Sequence, residues 1–459
     1  MTGTRTPRLP DGGSGLSLYS EGMDLFWYLK ARNWPVVAGY LLFISMMAIG
    51  YFYNVTFVQL GLKDLGERVL ALPAAAVAQQ MALLALITCL VALAFGWWMT
   101  RSGWSARLLV KLQLAWGVVL VQTVLTAVAP HISSATGFLI WIVFCSLALG
   151  VGVPATFSLT TDLIPVRDRG YVAAAITAVA YFAAALFPGG WQIEPFSRAM
   201  LLIMVPGVSG LGLIVGLATV GRTFVSDWVA EVAANHKLEN RFGSGRFTSS
   251  GGRIDRRFLG FVALMFGIFF IDSLGFLRLI DTPILVDGAW QSSDQTPRLI
   301  IAITHVIAAL VAGVLYTYED ERHLFYWVFG LFALTHLSYT VSVWLLPETT
   351  VTTLGTPMLY ATAVSLYTVV NFALWADFST PQTIGRNTAV GVALSGWTAT
   401  FLSTALAIQW HTAGMPLEQH LRLVQALALL FFVGMLLVAL WPNGTRTRPE
   451  HGQRINTDL

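Results

Sequence analysis

The chain has 459 residues, of which 56% are apolar and 11% charged, and its formal net charge is +3. Because soluble domains carry about 25% charged residues, this composition excludes a soluble protein and calls for lipid around the chain. Lipid admits only helices or closed barrels. The apolar runs are about 20 residues long and do not alternate, which indicates helices. Both cysteines, Cys89 and Cys145, fall in apolar runs, so no disulfide framework is indicated.

Twelve membrane-spanning helices are predicted. In chain order they cover about residues 34–59, 70–99, 106–128, 137–163, 171–187, 200–220, 258–280, 298–318, 324–346, 355–378, 388–409 and 421–441. The chain accordingly divides into an N-terminal tail (1–32), a first six-helix bundle (33–221), a central loop (222–257), a second six-helix bundle (258–442) and a C-terminal tail (443–459). The first thirty residues lack the apolar core of a cleavable signal peptide.

Basic residues are concentrated on one side of these spans. They occur in both tails, in the central loop and after spans two and four. Since basic residues mark the cytoplasmic side, we predict a multi-pass protein of the cytoplasmic (inner) membrane with both termini in the cytoplasm. Within the central loop, Phe224, Val225, Trp228, Val229 and Val232 recur at helical spacing, which predicts an amphipathic helix on the inner membrane surface. A Gly- and Ser-rich stretch then predicts a flexible linker.

A polar elbow occurs once in each half of the chain. The segment 162–170 (DLIPVRDRG) ends one apolar run and begins the next, and the segment 377–387 (DFSTPQTIGRN) does the same in the second half. Such a repeat indicates a duplicated membrane bundle, an architecture typical of secondary transporters. Charge pairs formed by these elbows would close and open the inner mouth, and the alternative is that they only cap helices and anchor loops. The candidate gating residues are Asp162, Arg169, Asp377 and Arg386.

Two further segments carry a resemblance to a known family. The segment 96–107 (GWWMTRSGWSAR) is similar to the loop motif of the major facilitator superfamily, Gly-x-x-x-Asp-Arg-x-Gly, through Gly96, Arg101 and Gly103. Thr100 stands where that motif has its acidic residue. The segment 150–170 resembles the family's fourth span and the loop that follows it. The resemblance covers about residues 33–442 and implies an all-α fold of two pseudo-symmetric six-helix bundles, with spans one, four, seven and ten around a central cavity.

Ionisable residues inside the spans are the first candidates for transport chemistry. Such groups cost about 2.5–3.5 kcal/mol on insertion scales, so those that remain are candidates for function. Asp272 lies near the middle of span seven, and Arg278 and Asp281 follow it at a spacing that allows these two to pair. His305 in span eight titrates near physiological pH and is suited to relay protons. The alternatives are an ion pair that locks helices near the outer mouth and a hydrogen-bonded packing histidine.

Uncharged polar side chains supply the remaining candidates. Asn54 lies in span one, and Tyr367 and Asn371 share one face of span ten. Groups of this kind suit an amphipathic organic solute, through hydrogen bonds and ring stacking. The alternative is hydrogen bonding between helices, worth about 0.6 kcal/mol on average.

The sequence contains no phosphate-binding glycine loop, zinc-ligand spacing or catalytic triad. We therefore expect no enzyme activity, cofactor, metal or nucleic-acid partner. The resemblance implies a monomeric secondary transporter that moves a small organic solute by alternating access, with coupling to protons left open. Two alternatives stay open as well. Export or flipping of a lipid-like compound predicts an apolar portal between spans five and eight, and a non-transporting assembly factor predicts a sealed cavity.

Overall fold

A computed structural model describes residues 23–187, 192–234, 241–248, 254, 256–280, 292, 294–318, 321–345 and 354–440. These residues form helices and short connections, and none of them lies in a strand. Within the described residues, twelve helices are long and apolar enough to cross a membrane, which confirms the predicted class of an all-α polytopic membrane protein. They are α1 Trp34–Val69, α2 Ala74–Arg101, α3 Leu108–His131, α4 Ala135–Leu163, α5 Val166–Leu186, α6 Ile193–Val220, α7 Arg256–Gly275, α8 Gln295–Tyr318, α9 His323–Ser342, α10 Gly355–Asp377, α11 Ile384–Ala407 and α12 Leu417–Leu437.

Local capping residues account for several helix boundaries. The side chain of Asn33 accepts a hydrogen bond from the backbone N–H of Val36 at the start of α1, and Ser134 does the same for Gly137 at the start of α4. Both satisfy backbone donors that a helix start leaves free. At the end of α2, Gly103 adopts a φ of +72°, a left-handed conformation that favours glycine and stops the helix.

The first span is longer than its apolar run predicts. We predicted an end near residue 59, but the helix continues with π-helical turns through the charged stretch to Val69. Arg68 pairs with Asp64 one turn earlier, at 2.7 Å, and with Glu194 of α6, at 2.6 Å. The second oxygen of Asp64 accepts from the backbone N–H of Ile193, at 2.9 Å. These bonds cap α6, which therefore starts seven residues earlier than its apolar run predicts.

The twelve spans form two bundles with matching internal contacts. In the first bundle the extensive contacts join α2 to α4, α3 to α6, α3 to α4 and α1 to α5. In the second bundle the same pairs recur six spans later, as α8 with α10, α9 with α12, α9 with α10 and α7 with α11. The two bundles meet along α5 with α8 and along α2 with α11. The predicted pair of pseudo-symmetric bundles is therefore present.

Burial separates central spans from lipid-facing spans. The most apolar stretch of α10 is 83% buried inside the protein, whereas that of α6 is only 22% buried. Leucines such as Leu202 and Leu213 on α6 are largely exposed, as expected for side chains that lipid covers. The polar candidates on α10 consequently lie at the centre of the molecule.

Glycines allow the two bundles to approach closely at one end of their shared seams. A Cβ atom added to Gly170 of α5 would lie 2.9 Å from the carbonyl oxygen of Gly313 of α8, and the converse distance is also 2.9 Å. In the other seam, a Cβ on Gly96 of α2 would lie 2.6 Å from the carbonyl oxygen of Gly385 of α11. Only glycine fits such contacts, which are typical of helices packed in membranes.

Two short helices cover that same end of the protein. The N-terminal helix, Asp24–Lys30, belongs to the segment that we predicted as a tail. The carboxylate of Asp168, between α4 and α5, accepts from the backbone N–H groups of Asp24 and Leu25, at 2.9 Å each, and from the hydroxyl of Tyr40, at 2.7 Å. These hydrogen bonds fix the helix to the first bundle.

The central helix, Phe224–Ala234, packs on protein rather than on lipid. Its apolar residues Val225, Val229 and Val232 are buried against the first bundle. The indole N–H of Trp228 donates to the backbone carbonyl of Pro35, at 2.7 Å. The predicted amphipathic helix is present, and its buried apolar residues pack on α6 and α1, whereas Phe224 at its start is 80% exposed. Hydrophobic spacing alone does not distinguish these two apolar environments.

Candidate functional site

A cavity of about 410 Å³ lies between the two bundles. We call the end of the protein that carries the central helix the loop side, and the opposite end the far side. The cavity reaches the far side at Lys63, Glu67 and Ala74, and ends inside the protein near Phe157 and Asn371. Its walls come from α1, α2, α3, α4, α5, α7, α10 and α11, which include the four spans that the family resemblance implies. The volume is typical of a site for a small organic molecule.

A carboxylate and two tyrosines form the polar centre of this cavity. Asp272 of α7 accepts hydrogen bonds from the hydroxyls of Tyr360 and Tyr367 of α10, one on each carboxylate oxygen, and the Tyr367 bond measures 2.8 Å. The ring of Phe269 packs edge-on against Tyr367, with ring centroids 5.1 Å apart. All four residues line the cavity. The structure therefore brings together two of the predicted candidates, Asp272 and Tyr367, and adds Tyr360.

Two π-helical segments turn further side chains towards the cavity. One covers Asn54–Gly61 in α1 and supplies Asn54 and Gln59, and the other covers Ala389–Trp397 in α11 and supplies Trp397. Each extra residue in a π-helical turn shifts the face that a helix presents, and such turns are frequent at functional sites. The amide oxygen of Asn54 is buried and has no hydrogen-bond partner among the described residues. It is an acceptor that nothing in the described protein satisfies.

His305 lies behind the cavity wall rather than in it. Its ring is fully buried, stacks on the ring of Tyr181 with centroids 4.5 Å apart, and contacts the hydroxyl of Ser365 through Nδ1 at 2.8 Å. The Tyr181 hydroxyl in turn bonds to those of Tyr51, at 2.7 Å, and Thr368, at 3.2 Å. This arrangement agrees with the alternative interpretation, a hydrogen-bonded packing histidine.

The other intramembrane candidates have different positions. Asn371 lines the cavity, but its amide oxygen already accepts from the indole N–H of Trp375, at 2.9 Å. Arg278 belongs to the helix Arg256–Ile280, and its side chain lies outside the described part of the structure. Asp281 is also outside the described residues, so the predicted pairing of Arg278 with Asp281 stays a prediction.

The loop-side end of the cavity is closed by a buried cluster around Asp377. One carboxylate oxygen pairs with Nη1 of Arg169 from the first bundle, at 2.9 Å. The other accepts from the hydroxyl of Tyr316, at 2.9 Å, and from Nε of Arg246, at 2.8 Å. Asp377 and Arg169 are fully buried side chains. One carboxylate thus joins the first bundle, the second bundle and the central loop.

The segment 241–248 of the central loop, which we call the bridging segment, runs between the two bundles. Its Gly243 donates to the carbonyl oxygen of Thr161, at 3.0 Å, and accepts from Arg169, at 2.9 Å. Further along, Gly245 donates to Ser379, at 2.9 Å, and Phe247 to the carbonyl of Asp377, at 2.8 Å. The prediction of a flexible linker is therefore wrong for this segment, because its backbone is bonded to both bundles.

The other two gating candidates, Asp162 and Arg386, have different partners from those of Asp377 and Arg169. Asp162 pairs with Lys111 of α3, and both side chains are fully buried, so this ion pair lies within the first bundle. The guanidinium of Arg386 donates to the side chain of Asn387, at 3.1 Å, and its backbone N–H donates to Thr100 of α2, at 3.1 Å. Among the described residues, the ion pair between the bundles therefore joins Arg169 of the first elbow to Asp377 of the second.

The residues of the loop motif lie at the α2–α11 seam and next to it. Gly96 packs against Gly385, as described above. Arg101 is exposed, with its guanidinium 5.1 Å from the centroid of the Trp97 ring. Gly103 ends the helix. The motif therefore shapes a contact between bundles, and the Thr100 hydroxyl contributes to it.

Sequence reasoning missed Lys111, Arg246 and Tyr316 as members of the loop-side clusters. Lys111 comes shortly after the basic residues that follow span two, although the predicted third span already begins at about residue 106. An ionisable residue inside a run that also faces an acidic elbow is a usable signal for an ion pair. No comparable signal marks Arg246, because its loop is Gly- and Ser-rich and contains many basic residues.

No protein-family model matches the sequence, and no match to a curated protein was found. Solved structures do match. The proton:xylose symporter XylE of the major facilitator superfamily shares 12% identity, with 88% of this chain and 95% of XylE covered and a TM-score of 0.56. The human organic anion transporter MFSD10 shares 15% identity, with 87% and 99% covered and a TM-score of 0.59. A partially occluded, inward-open form of XylE from E. coli shares 15% identity, with 89% and 98% covered and a TM-score of 0.58. The chain has the fold of the major facilitator superfamily.

Proposed function

We propose that this protein is a secondary transporter that moves a small organic solute across the cytoplasmic membrane by alternating access. The observation that carries the proposal is the central cavity, which lies between two six-helix bundles, reaches the far side and is closed on the loop side. A site at the interface of two repeats, open at one end only, is the arrangement that rocking of the bundles requires.

The gate of this transporter is the Asp377 cluster together with the bridging segment. Closure of the loop side uses Arg169, Asp377 and Arg246, and opening requires Asp377 to release both arginines as the bundles separate. The close glycine contacts between α5 and α8 would separate in the same movement. Charge pairs that form in one state and hydrate in the other give two alternative packings rather than a continuous motion.

The distribution of basic residues supports the orientation. The loop side carries the central helix and the predicted cytoplasmic segments, so the far side is the external side. In this orientation the described conformation faces outward. The three similar structures belong to two transporters, one of xylose and one of organic anions, and these two kinds of solute differ in charge. The solute of this chain must therefore be inferred from its own cavity.

The alternatives have less support. A lipid-like substrate calls for a portal between α5 and α8, yet the described residues of these two helices are in extensive contact, and their seam is closed by glycine packing on the loop side. An assembly factor calls for a sealed cavity, whereas this one reaches the far side through Lys63 and Glu67. Both features favour transport of a solute that enters from water.

Spin-label distances in proteoliposomes test alternating access directly. Exposed positions allow one pair on the loop side and one on the far side, and the native cysteines are buried and can stay. The loop-side pair is Ala106→Cys with Gln382→Cys, and the far-side pair is Ser133→Cys with Gln295→Cys. We expect two populations, in which a longer loop-side distance goes with a shorter far-side distance. Distances that stay fixed across a solute panel and a range of pH would rule out the proposed movement.

A further inference from the structure

The cavity offers acceptors and aromatic rings but little positive charge. Among its described residues the charged ones are Lys63, Glu67 and Asp272. The first two lie one helical turn apart at the far-side end of α1. Deeper in the cavity, Asp272 is therefore the single charge among the described lining residues. An anionic solute would meet a carboxylate there with no described cation to offset it.

The carboxylate of Asp272 has acceptor capacity left over. An ionised carboxylate accepts up to about four hydrogen bonds. Tyr360 and Tyr367 each fill one position, one on each oxygen, and both are held in place by their helix. In the same cavity, the amide oxygen of Asn54 has no partner among the described residues. Both groups can accept from N–H donors, and a protonated amine is a ligand that brings such donors together with a positive charge.

The walls complete a site for a cation with an apolar body. Tyr51, Phe269, Phe372 and Trp397 line the cavity. Tyr51 packs edge-on against Phe372, with centroids 5.0 Å apart, so these rings are already ordered by their neighbours. Ring faces attract cations, and tryptophan does so most strongly. Metal binding is a poor alternative, since the described residues contain no cluster of three or more His, Cys, Asp or Glu side chains suited to a metal ion.

We infer that the solute is a small organic cation, an amine with an aromatic or aliphatic body, whose ammonium group binds to Asp272, with the Asn54 amide oxygen as a further acceptor in the same cavity. This inference rests on the proposed transport function and specifies its substrate class. The two tyrosines are positioning residues, because they hold the carboxylate oriented towards the cavity while leaving acceptor positions free.

Three probes with one molecular frame and different charge test the inference. They are 2-phenylethylamine, 2-phenylethanol and phenylacetate, each added to the purified full-length chain in detergent, with the thermal unfolding midpoint as readout. We expect the amine to raise the midpoint at concentrations at least tenfold lower than the alcohol, and phenylacetate to have no effect. Equal effects of the three probes, an anion preference, or no effect of the amine would overturn the inference.

Two variants, each replacing one carboxylate by a carboxamide, test which residue binds the amine. Asp272→Asn should lower the apparent affinity for the amine at least tenfold and bring it to the level of the alcohol. Glu67→Gln removes the same charge at the far-side end and should change the amine affinity less than threefold. An Asp272→Asn variant that keeps the amine preference, but loses acid-driven uptake in proteoliposomes, assigns this carboxylate to protons and overturns the inference. If Asp272→Asn does not fold, the comparison of the three probes on the unmodified chain still decides.

The outcome is separable from that of the proposed function. If the spin-label distances on the two sides change in opposite directions but no cation is preferred, the result supports alternating access and refutes the substrate class. If the amine binds and the distances never change, the result supports the cation site and refutes alternating access.

Discussion

Removing the charge of Asp377 should open the loop side of the protein. The substitution Asp377→Asn keeps the size of the side chain and one acceptor oxygen, but it leaves the fully buried Arg169 without its counter-ion. It also weakens the bonds that Arg246 and Tyr316 make to the same carboxylate. All three partners belong to the closed arrangement, so the loss falls on that state.

The magnitude follows from the burial of this pair. Removing one partner of a buried ion pair costs about 3–5 kcal/mol, because a charge is left uncompensated. In a loop-side-open state the same groups would be in water, where a pair contributes only about 0–1 kcal/mol. The difference of about 2–5 kcal/mol favours the open state by about 30-fold to 4,000-fold, at about 1.4 kcal/mol for each factor of ten. A state populated to about 1% would then rise to about 20% or more.

The assay is the loop-side distance between labels at Ala106→Cys and Gln382→Cys. A matched control is available in Asp162→Asn. This aspartate is also fully buried and ion-paired, but its partner Lys111 lies in the same bundle. We expect both variants to lower the thermal midpoint and only Asp377→Asn to lengthen the loop-side distance.

The two variants together can refute the reasoning. A loop side that stays closed in Asp377→Asn would show that the ion pair does not decide the conformation. An equal lengthening in Asp162→Asn would show that general destabilisation, rather than an inter-bundle contact, causes the change. Either result would remove the basis for the gate.

Three further predictions concern packing, burial and pH. Gly170→Ala places a methyl group 2.9 Å from a facing carbonyl oxygen, so it should destabilise the closed seam by about 1–3 kcal/mol in a thermal-unfolding assay. The control, Gly207→Ala, adds a methyl group in open space on α6 and should be neutral or stabilising by about 1 kcal/mol in the same assay. Lys111→Met removes the counter-ion of the buried Asp162 and should cost about 3–5 kcal/mol, and combining it with Asp162→Leu should recover most of that loss. A double variant no more stable than the single one contradicts this. Burial and a neighbouring carboxylate raise the pKa of Asp24, so its ionised form costs stability at neutral pH and this cost disappears as the pH falls through the raised pKa. Asp24→Asn should therefore have the higher midpoint at about pH 8, with the gap closing towards about pH 4, and a gap that widens on acidification would contradict the sign.

The resemblance to the major facilitator superfamily predicted the fold more completely than it predicted the residues of the site. The segments 96–107 and 150–170 carried the resemblance to a family whose fold the structure confirms. The candidates on α10 lie at the centre of the molecule, as expected of a span that carries polar residues in lipid. The identity of the hydrogen-bond partners could not be predicted, since Asp272 and its two tyrosines are separated by 88 and 95 positions in the chain.

Composition and hydrophobic runs determined the class of this protein, its number of spans and its division into two halves. These properties depend on the free energy of placing each stretch of chain in lipid, which is a local quantity that the sequence states directly. The tertiary structure decided which charges meet. Asp162 pairs inside its bundle and Asp377 between bundles, although both follow the same elbow pattern. It also decided that the bridging segment lies between the bundles, because hydrogen bonds between distant parts of the chain depend on how the helices pack and not on the composition of the loop.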